Sequence, residues 1–150
     1  MRQFSYLGLF CSFFLIIFAT MIFVPISLSP EEYTINFIPF FLLDNTNDVH
    51  IFDTEKISNI LVFIPFGLFL PMVFTKYRAC IKAIFISFWL IFSIEFIQYF
   101  TGRSADIDDV ILNLLGSLLG YIIYWILSNL FKKEKWWNTL TNTHEKFQGK

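Results

Sequence analysis

The sequence predicts an all-α integral membrane protein, a four-helix bundle with both termini in the cytoplasm. Three observations predict it. The 150 residues are 56% hydrophobic and 15% charged, whereas a soluble domain is about 45–50% apolar with roughly 25% charged residues. Four apolar runs of spanning length are separated by polar links. Lysine and arginine gather on one side of the bilayer that those runs define.

The runs cover residues 4–26, 57–75, 83–100 and 110–131, about 18–23 residues each. At about 1.5 Å per helical residue they cross, or nearly cross, a hydrocarbon core about 30 Å thick. Each must be helical, because a lone strand leaves its backbone unsatisfied in lipid. The first run is longer than the h-region of a signal peptide and lacks an A-x-A-like site after it, so it reads as a retained span. Residues 1–131 therefore form one membrane domain, and 132–150 a tail rich in lysine and tryptophan that suits a membrane interface.

With four spans, Arg2, Lys76, Arg78, Lys82, Lys132, Lys133, Lys135, Lys146 and Lys150 share one side, and Lys56 and Arg103 the other. Nine against two places the termini in the cytoplasm. Most acidic residues fall on the opposite side, which becomes electronegative. The loop between the first two spans has about 30 residues, with an apolar patch over 35–43 that is too short to cross. The net charge of −1 hides this charge asymmetry and so says little about nucleic acid, which is not expected as a partner. Cys11 and Cys80 make neither a disulfide framework nor a metal motif. His50 and His144 read as surface residues.

Polar side chains inside apolar spans are costly and mark functional positions. Glu95 and Gln98 are three apart, so they share one helix face. Glu95 lies about a turn below the end of its run and must face protein or a water-filled cleft. Asp106, Asp109, Asn113, Gly116 and Gly120 follow helical steps of three and four, polar above and glycine below. The Gly116–Gly120 spacing admits close approach by another helix. Asp106 or Asp108 suits the positive start of the fourth helix. In the second span Asn59 sits near the outer mouth, and Pro65 with Gly67 tends to kink the helix. The expected site therefore unites Asn59, Glu95, Gln98, Arg103, Asp106, Asp108, Asp109 and Asn113, with Pro65, Gly67, Gly116 and Gly120 in helix packing.

These residues carry a family resemblance. The segment 59–67, Asn-Ile-Leu-Val-Phe-Ile-Pro-Phe-Gly, is similar to the second-span signature of the VanZ-like family. Glu95-x-x-Gln98, then Gly102-Arg103-Ser104-x-Asp106-Ile107-Asp108-Asp109, then Asn113-x-x-Gly116-x-x-x-Gly120, resembles its central motif. Asn36-Phe37-Ile38-Pro39-Phe40 is similar to its first-loop motif. The family is named for a determinant of low-level resistance to teicoplanin, a lipid-tailed glycopeptide. The resemblance implies a multi-pass protein of the cell membrane linked to the envelope or to antibiotic tolerance.

Three functions remain open at this level. The outward polar pocket binds an amphiphile such as a membrane lipid, a cell-wall precursor or a lipoglycopeptide, with Arg103 on a phosphate or carboxylate. Alternatively, the protein is an intramembrane enzyme on such a lipid, with Glu95, Asp106 and Asp109 as acid–base candidates. The third reading is a structural role in contacting a partner. No cofactor is expected, although the same carboxylates suit Mg²⁺ or Ca²⁺.

Overall fold

The computed structural model describes residues 2–21, 35–36, 54–100 and 105–141. Four helices are long and apolar enough to cross a membrane: α1 (Arg2–Met21), α2 (Thr54–Val73), α3 (Cys80–Phe100) and α4 (Ile107–Phe131). The first apolar run continues past α1 into residues 22–26, which lie outside the described residues. The other three helices each begin three residues before their apolar runs, because helix formation continues into the polar flanks. A fifth, short helix, α5 (Lys135–Leu140), follows α4. Two strand-like pairs add to this helical architecture: β1 (Ile35–Asn36) runs parallel to β2 (Ala105–Asp106), with Asn36 opposite Asp106. That pairing joins the loop after α1 to the link before α4.

The chain alternates direction, so one end of the bundle holds Glu95, Asp108 and Asp109 and the other holds Lys76, Lys82, Lys132, Lys133 and Lys135. These are called the acidic and basic ends below. The α2–α4 seam is the most extensive contact, followed by α1–α2 and α3–α4. Glycine explains the first of these. A Cβ on Gly67 would overlap the Ser117 carbonyl, one on Gly116 the Ile60 carbonyl, and one on Gly120 the Ile64 carbonyl. Three missing side chains thus let the two backbones touch, the packing that small residues permit in lipid. The helix α2 runs unbroken through Pro65 and also through Pro71, which is fully buried.

Helix rotation follows from side-chain pattern. On α3 the buried residues are Ala83, Ser87, Ile91, Ile94, Glu95 and Gln98, a single stripe of helical period. The opposite face carries Phe88, Phe92, Phe96 and Phe100 at four-residue spacing, exposed and in ring contact along the helix. Phe63, Phe66, Ile16 and Ile91 fill the centre, with the Phe13 ring edge-on to Phe66 at 5.2 Å.

The basic end is closed by the chain itself. Trp137 of α5 is 4% exposed and stacks on Tyr124 of α4 at 6.4 Å, while Trp136 remains 39% exposed. The Ser5 hydroxyl of α1 donates to the Leu140 carbonyl at 2.9 Å. Arg78, in the turn after α2, donates from its guanidinium to the carbonyls of Thr141 and Pro71, and its own carbonyl accepts from the Tyr121 hydroxyl at 2.7 Å. Of the two tail tryptophans assigned by sequence to the interface, Trp137 is instead part of the core. The aromatic wall of α4 offers it more apolar contact than a headgroup layer does.

Candidate functional site at the acidic end

A deep hydroxyl pair fixes the vertical register of the site. Ser87 Oγ of α3 and Ser117 Oγ of α4 lie 2.6 Å apart, and both are buried. Ser87 Oγ also lies 2.9 Å from the Ala83 carbonyl, to which it donates. A hydroxyl has one hydrogen, so Ser117 is then the donor to Ser87. Helices α3 and α4 run in opposite directions from this level. Glu95 and Asp109 are each eight residues from their serine toward the acidic end, about 12 Å along the axis. Asn113 lies about 6 Å along it, one turn below Asp109.

Helix α2 reaches the same level. The amide nitrogen of Asn59 donates to Asp109 Oδ1 at 2.6 Å, a charge-assisted contact. The glycine contacts of Ile60 and Ile64 hold Asn59 there, because they lock α2 against α4 one turn below it. Glu95 is 8% exposed and faces inward on the buried stripe of α3. Asp108 is also buried, inside the first turn of α4. Asp106 stands immediately before that helix, at the capping position, with its backbone in the pairing to Asn36. Among the described residues, no three His, Cys, Asp or Glu side chains gather closely enough to hold a metal ion.

Gln98 acts between helices. Its amide nitrogen donates to the Thr20 carbonyl at 2.9 Å. That carbonyl lies near the described end of α1. Gln98 therefore ties the top of α1 to the top of α3.

Asn113 is different. It is 4% exposed, yet its amide makes no hydrogen bond to another described residue. Its neighbours one turn away on the same face are held on two sides, Asp109 by α2 and Ser117 by α3. Among the described residues, no fully enclosed side-chain polar atom lacks a partner. The Asn113 amide is therefore not fully enclosed, although the residue is buried.

The structure thus brings Asn59, Glu95, Asp108, Asp109 and Asn113 to one end, with Gln98 bracing it. Arg103 lies outside the described residues, as do residues 37–40 of the first-loop motif. Sequence reasoning missed Ser87 and Ser117. A four-residue step from Asn113 to Ser117 was the available signal, but serine is common enough in membrane helices to pass as packing.

Comparison with known proteins agrees with this architecture. The family model described as VanZ/LLP1 matches residues 9–128, a range that contains all of these positions. Protein VanZ of Enterococcus faecium is 39% identical over 82 residues, covering 54% of this chain and 50% of that protein. The alignment therefore spans half the length of that relative. No solved structure matches the chain. With the family model covering most of its length and reaching into all four apolar helices, the chain belongs to the VanZ/LLP1 family.

Proposed function

We propose that the protein recognises a cell-envelope amphiphile at the acidic end of its bundle: a lipid, a cell-wall precursor or a lipoglycopeptide. The observation that carries this reading is the Asn113 amide, buried beneath the Asn59–Asp109 bond without a partner among the described residues. That amide is not fully enclosed, so a polar group of a ligand entering beside Asn113 can hydrogen-bond to it. Asn59, Glu95 and Asp109 at the next level offer acceptors and an amide to hydroxyl, amide or ammonium groups. In this reading Arg103 and the Asp106 side chain complete the wall, with Arg103 on a phosphate or carboxylate.

The apolar tail of such a ligand remains in the bilayer, which suits a site at the end of a membrane bundle. The similarity to Protein VanZ makes tolerance to a teicoplanin-type lipoglycopeptide the phenotype to examine. The cell membrane is the proposed location, with both termini in the cytoplasm. The asymmetry of lysine and arginine supports that orientation.

The test is binding of teicoplanin and of a lipid-linked cell-wall precursor to the full chain in nanodiscs, for wild type and Asn113→Leu. Loss of one ligand hydrogen bond weakens affinity about tenfold, while thermal stability of the variant stays the same or rises. Equal affinity in both proteins would overturn the proposal. Lipid and precursor mass spectrometry after gene deletion, with complementation by wild type or Glu95→Gln, separates binding from turnover.

A further inference from the structure

The basic end carries a second feature, unrelated to the acidic site. Tyr77, Ile81, Lys82, Phe85 and Ile86 line a groove of about 390 Å³ on the outside of the bundle, where the turn after α2 meets the first turns of α3. Its surface is almost wholly apolar, and Ile81 and Phe85 are among the exposed residues of α3. They are four residues apart, so they form one ridge that runs along the helix toward the bilayer centre. The apolar stretch of α3 begins at Cys80, so the groove lies at the start of that stretch, where a spanning helix leaves the water.

Cations stand at its rim. Lys82 is exposed and lines the groove. The Lys76 ammonium lies 4.8 Å from the centre of the Tyr77 ring, a cation–π position that holds it beside the opening. Arg78, between them in sequence, is turned inward onto the carbonyls of Pro71 and Thr141. The sequence from Lys76 to Ile86 contains no acidic residue, and Glu134, at the same end, is flanked by Lys133 and Lys135.

We propose that this groove binds an anionic phospholipid. The phosphate sits between the Lys76 and Lys82 ammonium groups, and one acyl chain lies along Ile81, Phe85 and Ile86. Charge complementarity selects the headgroup, and the apolar ridge selects a lipid over a free anion.

The test is native mass spectrometry of the full chain released from phosphatidylcholine nanodiscs containing a minor fraction of phosphatidylglycerol. Wild type retains one phosphatidylglycerol in preference to phosphatidylcholine, and excess inorganic phosphate does not displace it. Each lysine removed weakens retention about fivefold, so Lys76→Gln/Lys82→Gln releases the lipid, whereas Lys76→Arg/Lys82→Arg keeps it. Lys132→Gln/Lys133→Gln removes equal charge from the same end and leaves retention as in wild type. Three results would overturn the proposal: no preference in wild type, equal loss in the two glutamine variants, or displacement by phosphate.

Discussion

Asn59 and Asp109 are 50 residues apart in the chain, yet the amide of one donates to the carboxylate of the other at 2.6 Å. This bond joins the tops of α2 and α4, the two helices whose backbones the glycines bring into contact. The polar bond above and the close packing below are therefore one arrangement. Glycine contact fixes the separation of the helices, and the separation fixes whether the amide reaches the carboxylate.

Asn59→Leu removes the donor and should lower stability by about 1–2 kcal/mol, between the modest side-chain bonds of membrane helices and the stronger bonds to charged groups in water. Asp109→Asn in the same background should add less than it does alone, because the two side chains share one interaction. Unfolding in mild detergent, read for both single variants and the double variant, gives the coupling directly. Strict additivity would show that the bond contributes nothing.

Gly116→Ala and Gly120→Ala should each separate α2 from α4. The obstacle in both cases is carbonyl backbone, which cannot rotate away, so a cost of at least about 1–3 kcal/mol is expected. Gly8→Ala provides the contrast. Its Cβ would meet the Phe69 ring at 2.5 Å, and a side chain can move aside. Folded yield after detergent extraction should fall for the two α4 variants and hold closer to wild type for Gly8→Ala.

These contacts also indicate what a sequence can convey. The helices were legible because hydropathy over a span needs no partner to be read. The glycine spacing on α4 was legible as an approach surface, but nothing in it names α2 as the helix that approaches. The aromatic face of α3 was hidden among 21 phenylalanines, since lipid-facing and buried rings have the same composition. Ser87 and Ser117 escaped notice because a bond between two spans depends on the rotation of both. The inward turn of Arg78 was likewise illegible: counted as one more cation on the basic side, it is a bracket that ties the turn after α2 to the carbonyl of Thr141.

Trp137→Ala should be far more damaging than Trp136→Ala. Removing a large buried aromatic costs about 3–5 kcal/mol, and Trp137 is buried against Tyr124 and Phe131 of α4, whereas Trp136 is substantially exposed. Limited proteolysis of the tail reports the difference. Trp137→Ala should expose the chain after Phe131 to trypsin at Lys132, Lys133 and Lys135, and Trp136→Ala should leave it protected as in wild type. Equal cleavage of both variants would mean that α5 docks without its buried indole.

The two native cysteines test the proposed orientation without engineering. Cys80 opens α3 at the basic end and is exposed; Cys11 is also exposed, but midway along α1 within an apolar stretch. If the basic end faces the cytoplasm, a membrane-impermeant maleimide applied to intact spheroplasts should label neither thiol. After permeabilisation it should label Cys80 readily, because that thiol is exposed at the basic end, while Cys11 stays unreactive against hydrocarbon. Cys80→Ser should abolish the signal and Cys11→Ser should leave it. Labelling of Cys80 in intact spheroplasts would invert the topology. It would then place the acidic site, and the ligand proposed for it, on the cytoplasmic face.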